Sequence, residues 1–337
     1  MTDFDASSHS RRSRRRQLIL AGAAAPLLAG APALQANTYP TRTIRLVCPF
    51  PAGGAADTVS RLVAGALGQE LGQSVIVENR GGAGGNLAGE MVARGDADGY
   101  NLLVAGQAIL AINKPLYSRL NYDPERDFRY VGIIASMPNV LIAHPQALPV
   151  KDIKEFVAYC KARPGDVTYG SNGIGSLSHL TTELMASQGG FKLLHVPYKG
   201  AAPLMVDLLA GRIACCLTGS AAAVPLVVEG KVKALAVTTA QRISALADVP
   251  TLKESGFPEL EAPTWFAVVA PSGVPAPILE RLQAAMAKAT GTPEYKAALD
   301  RVASIIEPLN PSAGEAMLAR ERAMWATAVR QSGATTD

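Results

Sequence analysis

The residues of this chain best placed to do chemistry are Cys48-Pro49-Phe50-Pro51-Ala52-Gly53-Gly54-Ala55-Ala56-Asp57, between a strand-like run at 44–47 and a helix-like run at 58–71. Gly53 and Gly54 free the backbone to turn sharply where a helix begins. Consecutive N–H groups can then point into one concavity, with the positive end of the helix dipole behind them. Such a seat suits a small carboxylate that must be held and released unchanged. The plainer reading of the same residues is an ordinary strand-to-helix turn with Asp57 as N-cap.

The elements that would position this loop follow a regular order. Apolar, β-rich runs at 44–47, 75–78 and 101–105 alternate with helical patterns from Asp57 and Asn86, which predicts βαβ units and a parallel sheet. A second series has strands at 166–170, 191–196, 213–217 and 232–237, with helices from Ser178, Ala201 and Ala221. Between the series, 130–144 forms two apolar halves around Met137-Pro138-Asn139, and a comparable run returns at 264–270. Two α/β domains joined by a two-crossing hinge are therefore expected, with 37–138 plus 264–337 in the first and 139–263 in the second. The helical C-terminal part is expected to cover the first domain. Ligands of parallel α/β sheets sit beyond the carboxyl ends of strands. That directs attention to loops 50–57, 79–86 and 106–109 in one domain and 171–179, 199–202 and 218–221 in the other. These loops are rich in Gly, Ser and Thr, which supply N–H groups and hydroxyls but few catalytic functions.

Residues 1–36 read as an export leader. Ser13-Arg14-Arg15-Arg16-Gln17-Leu18-Ile19 precedes an alanine-rich apolar run broken by Pro26 and Pro32, with small-residue cleavage points after Ala33 or Ala36. The arginines fit a twin-arginine route, and a general secretory route accepts them too. Setting this segment aside removes five arginines and two aspartates, leaving 27 basic against 26 acidic residues. A nearly neutral remainder gives no electrostatic reason to expect nucleic acid as a partner. Cys48, Cys160, Cys215 and Cys216 show no Cys-x-x-Cys spacing, and three of them fall in apolar strand-like runs, so buried free thiols are expected. No Gly-x-Ser-x-Gly elbow, His-Glu-x-x-His helix or Gly-x-x-x-x-Gly-Lys loop occurs. The glycines at 81–85 do not complete a dinucleotide fingerprint, because Leu87 stands where its last glycine belongs.

Taken in order, Tyr39-Pro40, Pro49-Phe50-Pro51-Ala52-Gly53-Gly54 with Asp57, Val77-Glu78-Asn79-Arg80 with Gly82-Ala83-Gly84-Gly85-Asn86, Asp98-Gly99-Tyr100 and His195-Val196-Pro197-Tyr198-Lys199-Gly200 resemble the Bug receptors. These are the substrate-binding proteins of tripartite tricarboxylate transporters. The resemblance continues through Leu235-Ala236-Val237-Thr238, Val249-Pro250-Thr251, Ala270-Pro271-Ser272-Gly273 and Glu321-Arg322-Ala323-Met324-Trp325, spanning the chain beyond its leader. It implies a type II-like periplasmic binding protein of the Venus-flytrap kind, monomeric and without a cofactor or metal. Such a protein closes on a small organic acid and delivers it to membrane permease subunits.

Carried over residue by residue, the resemblance places Phe50, Ala52, Gly53, Gly54 and Asp57 on one side of the ligand and Ser171, Gly173, Gly175, Ser176 and His179 on the other. Two departures from the family pattern occur. Thr218-Gly219 stands where many relatives have Asp-Asn, and Gln107-Ala108-Ile109-Leu110 where they often have Ser or Thr, which points to a more apolar acid. His179 could donate to a ligand oxygen or could lock its own loop, while His195 reads as a packing residue at a strand end. Lys199 could face the ligand or only solvent. A carboxylate-handling hydrolase and a solute sensor are the alternative functions. The first would consume its ligand, and a transcription regulator of this architecture would need a helix-turn-helix segment.

Overall fold

The computed structural model describes residues 39–336, so the expected leader lies outside the described residues. The first sheet contains β1 (Ile44–Cys48), β2 (Val75–Asn79), β3 (Asn101–Gly106), β4 (Phe128–Met137) and β10 (Thr264–Pro271), in the order β2-β1-β3-β10-β4. The second contains β5 (Asn139–Ala143), β6 (Thr168–Ser171), β7 (Leu194–Pro197), β8 (Cys215–Gly219) and β9 (Lys233–Val237), in the order β7-β6-β8-β5-β9. Both sheets are mixed. Three parallel strands, centred on β1 in one and β6 in the other, are continued by an antiparallel strand, β10 or β5, that the chain supplies as it crosses between sheets. The expected parallel strand sets are present, and the crossings add antiparallel strands to each.

The equivalence of the two orders matters more than either order alone. β1 and β6 occupy the same place, so the loops that follow them, which carry most of the candidate residues, are topological counterparts. After β1 comes α1 (Ala55–Leu71), a good helix because Val59, Val63 and Leu67 recur on one face and are buried. Burying each such side chain contributes about 1.5–3 kcal/mol. Gly72 ends the helix in the left-handed conformation, φ 67°, its N–H returning to the Gly68 carbonyl. After β6 comes α5 (Leu177–Gly189), whose N-cap Ser176 accepts from the His179 N–H. The remaining helices are α2 (Asn86–Ala93), α3 (Asn113–Leu116), α4 (Ile153–Ala162), α6 (Ala201–Leu209), α7 (Ser220–Val228), α8 (Ala276–Gly291), α9 (Pro293–Asp300) and α10 (Pro311–Ser332). A π-helical turn, Ala108–Ile112, leads into α3.

The chain crosses at Pro138, between β4 and β5, and again on the segment from β9 to β10. Asn139 ties the two crossings together: its buried Nδ2 donates to the Ala262 carbonyl at 3.0 Å and to Thr264 Oγ1 at 3.1 Å. Its backbone N–H donates to Thr238 Oγ1 at 3.2 Å. Gln107 adds a third strap, with Nε2 donating to the Pro263 carbonyl and Oε1 accepting from the Trp265 N–H at 3.3 Å. α10 departs from the expected covering of the first domain. Its first half packs Leu318 into the cluster of Tyr130 and Trp265, whereas Trp325, Ala328 and Val329 enter the cluster that holds Leu180, Leu184 and Tyr169. Both sheets belong to one compact unit beginning at Pro40. All four cysteines are buried and free, and burial pushes the Cys160 and Cys216 thiols up to about 12.

Asn139→Ala should cost about 1–3 kcal/mol of stability, because it leaves the buried Ala262 carbonyl without its donor. Urea unfolding followed by circular dichroism measures it, and an unchanged midpoint would remove Asn139 as the tie between the crossings.

Candidate functional site

At the β1–α1 junction the N-cap is Gly54, in extended conformation at φ −84° and with no side-chain cap. Asp57 therefore lies in the first turn of the helix and is not its N-cap. Its buried carboxylate is fully engaged: Oδ2 accepts from the Gly53 N–H at 2.9 Å and from Arg61 Nε at 3.0 Å, and Oδ1 accepts from Asn79 Nδ2 at 2.9 Å. Asn79 also donates to the Phe50 carbonyl at 2.9 Å, which pins the start of the loop. The Arg61 hydrogen bond, with the Gly53 N–H next, pulls the Asp57 pKa down to about 2. Gly53 has φ +87°, a conformation that a side chain would strain, while Gly54 has space for one.

Of the two glycines in the expected anion seat, Gly53 is engaged, while the Gly54 N–H has no described acceptor. Gly53 gives its N–H to Asp57, and no described residue accepts from the N–H groups of Ala55, Ala56 or Asp57 in the first turn of α1. Residues 51–55 are exposed, whereas Ala56 and Asp57 are buried. Asp57 would oppose an anion there, but Arg61 sits on it at 3.0 Å and neutralises it locally. Phe50 is half-buried, packed edge-on against Phe266 with ring centroids 6.1 Å apart.

The β6–α5 junction is built similarly. Ser171 is fully buried, and its Oγ meets both the N–H of Gly173, at 3.2 Å, and its carbonyl, at 3.1 Å. Ser176 Oγ donates to the same carbonyl at 2.6 Å and caps α5 by accepting from the His179 N–H at 3.3 Å. The N–H groups of Leu177 and Ser178 find no described acceptor, as at α1. Gly173, at φ +122°, and Gly175, at φ +74°, make the turn possible. Leu116, from the first sheet's side of the chain, packs against Gly175 so closely that a Cβ there would collide with it. His179 is buried, and its Nδ1 accepts from the Gly175 N–H at 3.1 Å. His195 does more than pack: its Nε2 lies 2.6 Å from Ser171 Oγ.

The other candidates are placed differently. Gln107 is buried, with both ends of its amide engaged by the second crossing. Thr218 and Gly219 end β8 beside β5, and open space surrounds Gly219, whose successor Ser220 donates its N–H to the Pro138 carbonyl. Lys199 is exposed. The glycines at 81–85 serve packing: Gly85 presses on Ile109 and Pro49, and Gly84 lies under the Tyr117 hydroxyl. A cavity of about 1220 Å³ is lined by Ser136, Pro138, Trp265, Glu321 and Met324 among others, and by none of the candidate residues. Its lining includes Ile133 and Ser136 of β4, Trp265 of β10 and Leu184 and Gln188 of α5. No group of His, Cys, Asp and Glu among the described residues could hold a metal ion.

Two α/β lobes joined by two strand crossings, with a strand-to-helix junction at the same position in each, define the class of two-lobed solute-binding proteins. The chain belongs to the tripartite tricarboxylate transporter receptor family, whose sequence model matches residues 59–331. It is 36% identical to Protein BugT of Bordetella pertussis over 315 residues, 93% of this chain and 94% of that protein. Among solved structures it is similar to the R. palustris protein Rpa4515 with adipate, at 36% identity and TM-score 0.73, covering 88% of this chain and 99% of that one. It is also similar to MatC of Rhodopseudomonas palustris with bound malate, at 31% identity and TM-score 0.70, covering 86% and 100%.

Asp57 supplies a pH test of the first junction. Its pKa is depressed below the ordinary 3.8, so its contribution to stability is complete above that value and is lost as pH falls through about 2. Asp57→Asn should therefore be less stable than the wild type at neutral pH, with the gap narrowing as pH falls across that window. Urea midpoints at stepped pH measure this, and a constant gap would mean that the charge of Asp57 does not organise the loop.

Proposed function

We propose that this protein is an extracytoplasmic receptor that captures a small organic carboxylate between its two lobes and delivers it, unaltered, to the permease subunits of a tripartite tricarboxylate transporter. The observation that carries this reading is the pair of equivalent junctions, β1–α1 and β6–α5. Each leaves first-turn N–H groups without a protein acceptor. Donors of this kind hold a carboxylate through backbone geometry and the helix dipole, with no need for a permanent cation. Adipate and malate in the two similar structures fit the same ligand class. No helix among the described residues is long and apolar enough to cross a membrane, and the leader-like segment 1–36 is in keeping with export to the periplasm.

Around the seat the surface is apolar as well as polar. Ile174 is 52% exposed at the tip of the 171–176 loop, and the half-buried ring of Phe50 sits at the start of the other. With Gln107 engaged elsewhere, these groups favour an acid with a hydrocarbon body over a densely hydroxylated one. A Ser171–His195 pair exists, as a hydrolase would need, but Ser171 Oγ is buried and engaged by Gly173, and Glu183 bonds the Tyr169 hydroxyl instead of His195. That favours binding over turnover.

Calorimetry against a panel of mono- and dicarboxylates of graded chain length tests the proposal directly. Binding without consumption of the acid is expected, whereas steady turnover of a carboxylate derivative would favour the hydrolase. Gly54→Val should abolish the rise in melting temperature that a bound acid produces while leaving one cooperative transition, since a Cβ there meets only the Pro51 carbonyl, at 3.8 Å. Undiminished binding by this variant would place the ligand elsewhere.

A further inference from the structure

We infer that His179 is a positioning residue that must be uncharged for the site to exist: its ring fixes the Gly175 N–H, which shapes the 171–176 loop, and a proton on that ring dismantles the loop. This rests on the receptor reading above and adds to it a control of ligand release by acid.

The geometry decides the tautomer. Gly175 donates its N–H to His179 Nδ1 at 3.1 Å, so that nitrogen carries no proton and the ring is neutral with its proton on Nε2. The same residue is held at its backbone, where its N–H is capped by Ser176 Oγ. His179 therefore closes a ring of contacts from Gly175 to Ser176 and back through the first turn of α5. Gly175 is also crowded by the Leu116 side chain, which a Cβ there would strike.

What surrounds the ring makes a cation unwelcome. It stacks on His195 with centroids 4.0 Å apart and planes 11° from parallel, and His195 stacks in turn on Tyr169 at 4.9 Å and 20°. Within this column the titratable groups are His195 from β7 and Tyr169 from β6. Glu183, one turn further along α5, accepts from the Tyr169 hydroxyl at 2.5 Å. α10, which packs on α5, contributes Trp325 and Ala328 to the shared cluster, and α3 contributes Leu116. Among the described residues no carboxylate forms an ion pair with either histidine. A proton on Nδ1 would set an N–H against the Gly175 N–H and a positive ring against a second imidazole. Burial, with His195 adding to it, accordingly holds His179 down to about 4, and burial lowers His195 as well.

The sign follows from linkage. A histidine that titrates near 6.5 when the loop is undone and near 4 when it is formed favours the formed loop fully above about pH 6.5. It withdraws that support as pH falls toward 4, by up to tenfold per pH unit. Because ligand binds only the formed loop, its apparent affinity falls with the formed fraction. A receptor built this way releases its acid in an acidified compartment.

The test begins without ligand. Hydrogen exchange, expressed as protection factors for segment 171–176, is measured at about pH 7 and about pH 4.5 for the wild type, His179→Ala and His179→Asn. Asparagine offers an acceptor near the Nδ1 position that does not titrate. The wild type should lose protection about tenfold or more at the lower pH, the Ala variant should be unprotected at both, and the Asn variant should be restored at both. Circular dichroism melts confirm that each variant is folded, and the wild-type profile decides if the Ala variant is not. A folded Ala variant as protected as the wild type, or a wild-type loop indifferent to pH, overturns the proposal. Adipate titrations then use the Asn variant as the control for protonation of the ligand itself. If no acid in the panel binds at all, the receptor reading fails while the exchange result still stands or falls alone.

Discussion

A helix that starts directly after a strand leaves the N–H groups of its first turn with no carbonyl behind them. In this protein that constraint is met twice at the same place in two sheets of equivalent order, after β1 and after β6. Side chains could have quenched all of these donors, and they quench only some. Asp57 takes the N–H of Gly53, Ser176 takes that of His179, and His179 takes that of Gly175. The engaged groups flank the unengaged ones and hold them in place, so the loops are shaped by their own polar side chains while the helix starts stay open. Preorganised donors of this kind keep the cost of ordering a loop out of the binding event.

The two junctions solve the charge problem differently. At α1 a carboxylate sits in the first turn, where the dipole stabilises it, and Arg61 one turn later cancels its repulsion toward an incoming anion. At α5 no formal charge is present while the histidines are neutral, and the loop is held by hydroxyls and imidazoles. The first junction is therefore indifferent to pH until well below the range in which the second begins to change. In the proposed site the lobe that carries Asp57 would be the constant half and the lobe that carries His179 the responsive half.

Much of this was legible in the sequence, and the misses have physical causes. Strand runs and their order were readable because buried parallel strands are continuous apolar segments bounded by Gly, Pro and Asn, as at β1, β3 and β8. The identity of the α1 N-cap was not, since Asp57 fits both a cap and a first-turn acid, and only the partners Gly53, Arg61 and Asn79 decide between them. Gln107 lies on a loop that does end a strand beside the site, but its amide turns to the Pro263 carbonyl 156 residues away, a contact no local pattern announces. The pairing of Ser171 with His195 was hidden for the same reason. The glycines at 81–85 looked like a ligand loop because glycine is required wherever backbones crowd, and here the crowding comes from Ile109 and Tyr117.

The least legible feature bears most on mechanism. Helix α10 follows the second crossing, so sequence order assigns it to the first lobe, yet its apolar face changes partners midway. Leu318 belongs to the Tyr130 cluster and Trp325 to the Leu180 cluster. Between them, buried Glu321 accepts from Trp325 Nε1 at 2.5 Å, and burial pushes its carboxyl up to about 7. A helix anchored in both lobes is a third connection beside the two strand crossings. Strand crossings can absorb rotation through a few backbone angles, whereas a continuous helix resists bending and transmits it. Any closure of the two lobes on a ligand would have to slide α10 over one of its two clusters or pivot about it. The cavity lined by Glu321 and Met324 lies where α10 passes between the two clusters.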